Sequence, residues 1–268
     1  LAPGARIILP PIIAGYVGAD HVAMLLATGA WKAERPTIAL DIGTNTEISL
    51  TVNGTTLSCS CASGPAFEGA HILAGMRAAP GAIEAVRIHD GVVHVQTIDG
   101  KPPIGLCGSG ILDAVAEMQA AGVLAPSGKL KDEDPRVRTE KGGSAFLLVP
   151  GTASGNKRDI LITRQDVHEI QLAKAAIRAG VEVLLREAGL TAQDIETFIV
   201  AGAFGTYLNL ESAIRIGMFP PLPLERFQQV GNAAGTGARQ MLLSVAQREA
   251  ARALVEKVRY VELTTYPA

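Results

Sequence analysis

The sequence predicts a mixed α/β domain in two lobes, and three observations carry that prediction. A strand, a tight turn and two further strands follow one another over residues 37–61. A long helix with a regular apolar stripe opens at Thr163. Short hydrophobic strands elsewhere run directly into glycine-rich turns, at residues 105–110, 201–205 and 231–237. The chain has 268 residues, enough for one large domain or two lobes with real cores.

Residues 7–15 read as an extended run, and a helix near 20–28 stops at Gly29. Asp20 is a candidate N-cap of that helix or a neighbour of the site described below. In Thr37-Ile38-Ala39-Leu40-Asp41-Ile42-Gly43-Thr44-Asn45-Thr46-Glu47-Ile48-Ser49-Leu50, a hydrophobic strand ends at Asp41 and a second leaves after a tight turn. Asn53-Gly54 then turns the chain into a third strand, since Asn-Gly between alternating runs is a strong hairpin signal. Residues 70–79 read as a helix closed by Pro80-Gly81, and 85–88 with 92–95 as a hairpin about Asp90-Gly91. A helix spans 111–121.

The mixed-charge stretch 126–143 reads as a solvated connector between lobe one (36–125) and lobe two (144–268). Lobe two begins with strands at 145–149 and 159–163. Thr163-Arg164-Gln165-Asp166 then opens a helix to Ala188 as a capping-box variant. Strands at 197–200 and 227–230, a short helix capped by Asn209, a helix over 238–256 and a last strand over 258–263 complete the chain.

Composition excludes several classes. The net charge of −2 gives no electrostatic case for nucleic acid or an anionic membrane. No apolar run reaches the roughly 18 residues of a membrane span. The three cysteines, Cys59, Cys61 and Cys107, argue against a disulfide framework and fit a reducing cytoplasm. An all-cysteine iron–sulfur cluster needs four thiolates, so any such cluster lies on a domain or protein outside this chain. The histidines have no metal-ligand spacing. Residues 105–110 are Gly-x-x-Gly-x-Gly, which is neither the dinucleotide fingerprint nor a Walker A loop.

The turn after Asp41 suits phosphate. Gly43 lets backbone approach a ligand, and the N–H groups and hydroxyls of Gly43, Thr44, Asn45 and Thr46 are candidate donors to phosphate oxygens. Asp41 is the candidate holder of Mg2+, through water, because that ion keeps much of its hydration shell. A plain β-turn with an Asp at its lip is the alternative.

Asp41-Ile42-Gly43-Thr44-Asn45 resembles the first phosphate motif of the superfamily containing acetate and sugar kinases, heat-shock ATPases and actin (ASKHA). Ser63-Gly64-Pro65-Ala66-Phe67-Glu68-Gly69, Gly105-Leu106-Cys107-Gly108-Ser109-Gly110, Ala201-Gly202-Ala203-Phe204-Gly205 and Gly231-Asn232-Ala233-Ala234-Gly235-Thr236-Gly237 follow in order across nearly the whole chain. The ordered set more closely resembles the ATPase-like domain of reductive activators of corrinoid proteins. That resemblance implies a two-lobed actin-like ATPase (ribonuclease H-like) fold with ATP and Mg2+ in the cleft, residues 1–35 ending a preceding region. It implies slow ATP hydrolysis coupled to Co(II)-to-Co(I) reduction of a corrinoid protein in a methyltransferase system, with a ferredoxin-type donor and a homodimer.

By the same resemblance, Gly108, Ser109 and Gly110 begin one interlobe helix and Gly235 lies in its partner turn. Gly202, Ala203, Phe204 and Gly205 lie against adenosine, and Lys174 packs beside adenine. Close helix packing is the alternative for the glycines, and a solvent face for Lys174. Asp113 is a ligand or a residue favoured by the helix dipole. Glu68 is the candidate for orienting the attacking water, with Glu47 second. The second Asp-x-Gly-Gly turn of kinases is absent from residues 144–268. A small-molecule kinase and a nucleotide-binding scaffold without turnover remain as alternatives.

Overall fold

A computed structural model describes residues 3–140, 142–202 and 204–266. Its spine is a six-stranded sheet in the order β11-β10-β1-β2-β3-β12. Strands β1 (Thr37–Ile42), β2 (Thr46–Val52) and β3 (Thr55–Cys61) form an antiparallel meander. Asn53 and Gly54 both take positive φ (51° and 70°), the backbone that a two-residue turn between twisted strands demands. Strands β10 (Thr197–Ala201) and β11 (Phe227–Gly231) run parallel to β1, and β12 (Val258–Tyr260) runs parallel to β3.

The strands expected in two lobes therefore share one sheet. A short buried run such as Thr197–Ala201 looks the same from sequence in any central position, so its partner is decided by tertiary packing. Among the described residues the other two sheets have three strands each. One, β5-β4-β6, comprises β4 (Ala82–His89), β5 (Val92–Thr97) and β6 (Gly105–Leu106). The other, β7-β8-β9, comprises β7 (Val137–Glu140), β8 (Gly143–Val149) and β9 (Ile160–Thr163). Both belong to the stretch between β3 and helix α3 (Arg164–Ala188). The expected connector thus holds a strand, which Arg136 anchors by pairing with Asp134 at 2.8 Å and covering the Phe146 ring at 4.9 Å.

Side-chain alternation on β1 feeds two cores. Ile38 and Leu40 join the larger core with α3, while Ala39 faces α1 (Ala19–Thr28), α5 (Ala233–Leu243) and α6 (Val245–Val255) on the other side. Helix α3 begins with the expected capping box: Asp166 N–H donates to the Thr163 hydroxyl at 3.1 Å, and Thr163 N–H to the Asp166 carboxylate at 2.7 Å. Asn209 caps α4 (Leu210–Arg215), also as expected.

Several local expectations change. Residues 70–79 form turns instead of a helix, because Gly69 and His71 have positive φ and the chain doubles back to bond with β6. Helix α2 (Gly108–Ala120) starts three residues before Ile111, so Gly108, Ser109 and Gly110 form its first turn. Asp113 lies beyond that turn and is buried, accepting from Val86 N–H and Arg87 of β4. The single helix over 238–256 is two: Ser244 leaves helical geometry, and its hydroxyl caps α6 by accepting from Gln247 N–H. Residues 7–12 take no regular structure. Among the described residues, no helix is long and apolar enough to cross a membrane.

Helix α1 is an integral layer. Its Val22, Ala23, Met24 and Leu25 are buried, and His21 bonds through Nε2 to the Ser49 hydroxyl of β2 at 2.7 Å. It crosses α5 where a side chain at Gly237 would strike the Ala23 carbonyl. Gly237→Ala should thus force the helices apart and lower stability by roughly 1–3 kcal/mol in urea unfolding. Gly15→Ala, with no atom near its Cβ, should leave the midpoint unchanged.

Candidate functional site

The three parallel strands β1, β10 and β11 end on one edge of the sheet, and residues just past those ends converge there. Such an edge is where α/β sheets bind ligands. Gly202 N–H donates to the Gly231 carbonyl at 3.0 Å. Gly202 has φ +96°, and a Cβ there would sit 2.8 Å from the Asp41 carboxylate and 2.8 Å from the Ile42 carbonyl. Only glycine leaves Asp41 its space.

Asp41 lies across the β1–β2 ladder from Glu47, and Ser60 donates to Glu47 at 3.2 Å. Asp20 approaches both from the first turn of α1. It is not the N-cap: Gly18 holds that position, and Asp20 folds back to accept from His21 N–H at 2.9 Å. Burial, then the Asp20 charge, pushes Asp41 up to about 6. Burial followed by Asp20 also pushes Glu47 up to about 7, against the Ser60 hydrogen bond. No Lys, Arg or His forms an ion pair with these three carboxylates among the described residues.

The turn beyond Asp41 exposes Gly43, Thr44 and Asn45. Gly43 N–H is already taken by the Asn45 carbonyl at 3.1 Å. Thr46 is fully buried, its hydroxyl bonded to Ser63 at 2.7 Å, so Thr44 and Asn45 offer the outward polar groups. The loop 63–69 braces the turn: Gly64 N–H donates to the Thr44 carbonyl at 2.9 Å, and the Thr44 hydroxyl donates to Glu68 at 2.6 Å.

Next to Glu68 opens a cavity of about 600 Å3, the size of a small-molecule site. Glu68, Gly108, Ser109 and Phe204 line it. Phe204 stacks on Phe67 at 4.6 Å. Side chains on Gly108 and Gly110 would strike the Phe67 and Ile83 carbonyls, so close packing explains these two glycines, while the backbone of Gly108 still borders the cavity. Gly205 is held by Gln229 at 2.6 Å, and Gly235 N–H bonds the capping Asn232 at 2.8 Å. Ala203 lies outside the described residues.

Lys174 is not brought to this edge. Its ammonium bonds the Ile216 carbonyl at the end of α4, and it lines a separate recess with Gln171. Sequence reasoning missed Arg77 and Tyr207, which also line the cavity. Arg77 sits in turns that read as helix, and nothing in the pattern singles out Tyr207.

The arrangement fits a Mg2+-bound polyphosphate. Uncompensated carboxylates favour a cation, the glycine edge leaves room for a ligand, and the turn presents donors. No cluster of three side-chain metal ligands exists among the described residues. The three cysteines are free thiols, all buried. Cys59 and Cys61 are buried in β3, with burial pushing Cys61 up to about 12, and Cys107 contacts the Ser109 hydroxyl at 3.3 Å.

The carboxylates set a pH dependence. Asp41 and Glu47 titrate higher in the folded than in the unfolded chain, so the stability they contribute is full below about pH 4 and falls as pH rises through about 6 and about 7. His21, which burial lowers to about 4, acts with the opposite sign in the lower part of that window. The difference between Glu47→Gln and the parent protein isolates the carboxylate. The variant should gain melting temperature relative to the parent as pH rises from about 5 to about 8.

The family model described as the C-terminal domain of RACo, the ASKHA domain, matches residues 35–268. The corrinoid activation enzyme RamQ of Eubacterium limosum is 35% identical over 274 residues, covering 99% of this chain and 46% of that protein. The [Co(II) methylated amine-specific corrinoid protein] reductase of Methanosarcina barkeri is 30% identical over 275 residues, covering 94% and 47%. A solved reductive activator for corrinoid, iron-sulfur protein superposes with a TM-score of 0.89 at 41% identity, over 96% of this chain and 42% of that one. The chain thus spans slightly less than half the length of these relatives. It belongs to the family of the C-terminal ASKHA domain of RACo.

Proposed function

We propose that this chain binds Mg-ATP at the Asp41 edge and serves the ATP-dependent reduction of a corrinoid protein from Co(II) to Co(I). The observation that carries the reading is the meeting, at one crevice, of the exposed turn 43–45, the uncompensated Asp41 and Glu47, and a cavity of about 600 Å3. Membership of the family and the printed names of the relatives, a corrinoid activation enzyme and a Co(II) corrinoid protein reductase, support it.

In this reading Thr44 and Asn45 meet the phosphates. Through water, Asp41 would hold Mg2+, which would supply charge neutralisation at the phosphates. Gly202 and Gly205 offer backbone to the ribose, and the base enters the cavity beside Phe204, Gly108 and Ser109. When the Thr44 hydroxyl turns from Glu68 to a phosphate oxygen, Glu68 is freed to orient water. Binding or hydrolysis then shifts the elements around the crevice and changes the environment of a docked corrinoid. One electron comes from a ferredoxin-type donor, whose iron–sulfur cluster lies outside this chain, and the working unit is a homodimer in the cytoplasm.

Thermal unfolding with Mg-ATP tests the base of this reading. At about 100 times its dissociation constant the nucleotide should add about 2.7 kcal/mol. Asp41→Asn should abolish that gain while stabilising the free protein, because it removes a repelled charge, so loss of binding is separable from misfolding. Glu68→Gln should keep the protection and cut phosphate release by roughly 100-fold. Within the longer protein, ATP should accelerate appearance of the Co(I) absorption of a corrinoid protein. Protection without phosphate release would mean a nucleotide clamp. Absence of protection at millimolar Mg-ATP would end the proposal.

A further inference from the structure

Of the 15 large hydrophobic residues exposed among the described residues, eight fall in two short segments, 7–16 and 242–245. Leu9 is 86% exposed, Leu242 74% and Leu243 82%. The two segments meet across a groove of about 300 Å3, with Leu9 and Pro11 on one wall and Met241 and Leu242 on the other. A contiguous apolar face of this kind on a folded protein marks an interaction surface.

Charge identifies the occupant. Arg6, Arg248 and Arg252 line the groove, and no carboxylate lines it among the described residues. Arg248 is fixed there by donating to the Met241 carbonyl at 2.7 Å, at the end of α5, and forms no ion pair among the described residues. Arg252 shares its charge with Glu249 at 2.7 Å. We propose that this groove docks an amphipathic polypeptide segment that carries acidic residues beside its apolar stripe.

A second copy of the same face would set arginine against arginine. A membrane surface calls for a projecting apolar face, whereas this one is a concave slot that receives a ridge of side chains. Polypeptide to fill it is at hand in the relatives, more than half of whose length lies beyond the part matched here. The groove shares no lining residue with the cavity beside Glu68, and Asp41 does not line the groove. The proposal is therefore independent of the nucleotide reading.

The test uses the chain as it stands and two labelled synthetic helical peptides. Both carry leucines at i, i+4 and i+7; one flanks them with glutamates and the other with lysines. Fluorescence anisotropy should show saturable binding of the glutamate peptide, weakened by salt, and roughly tenfold weaker binding of the lysine peptide. The paired substitution Leu242→Asp with Leu243→Asp lies on solvent and should leave the melting temperature unchanged while weakening the glutamate peptide by a similar factor. Equal binding of both peptides, no saturable binding, or indifference to the paired substitution overturns the proposal. So does self-association of the parent chain that the substitution removes, or tighter binding to anionic phosphatidylserine vesicles than to the peptide.

Discussion

The candidate site depends on one close approach: β10 ends against β1 with no side chain between Gly202 and the Asp41 carboxylate. Parallel pairing of Asp41 with Ala201 sets the register, and the positive φ of Gly202 turns the chain away at that point. Add a Cβ and the carboxylate must move. The candidate carboxylate Asp41 is thus placed by backbone geometry. Burial and the Asp20 charge disfavour the charge of Asp41, and the missing side chain at Gly202 leaves its carboxylate room to stay there.

The second constraint is the bracing of an exposed turn. A three-residue turn with outward donors would move freely on its own. Here Ser63 and Gly64 bond its carbonyls, and Glu68 holds the Thr44 hydroxyl. The same loop carries Phe67, which stacks on Phe204 from the far side of the crevice. The turn, the loop and the end of β10 form one connected unit, so a ligand that pulls on Thr44 also pulls on the wall of the cavity.

Legibility in the sequence followed the range of the interactions. The β1–β3 meander, the capping box of α3 and the Asn209 cap could be read because Asn53-Gly54, Thr163 with Asp166, and Asn209 act within four residues of themselves. The placing of β10 and β12 beside the meander could not be read. Their partners lie far off in sequence, and an apolar run carries no label for its neighbour. Asp20 was open to two readings, since an acidic residue near a helix start serves equally as a cap. Only the packing of α1 on the sheet turns it toward Asp41. The turns at 70–79 contain good helix formers, but Gly69, His71 and Pro80 impose a path that composition does not reveal. At the candidate site, the turn after Asp41 and the loop of Glu68 stand out in the sequence as motifs and the structure joins them through the Thr44–Glu68 hydrogen bond, while Lys174 is drawn away by a backbone carbonyl that no spacing rule identifies.

The order of the sheet bears on how the chain is made. Thr37 of β1 pairs with Thr197 of β10, and Thr56 of β3 with Val258 of β12. A chain leaving the ribosome therefore exposes the meander before β10 and β12, with its outer edges bare until those later strands arrive. Bare strand edges recruit other strands. During synthesis the vulnerable object is the three-stranded meander that carries Asp41, and the strands that protect it follow later in the chain.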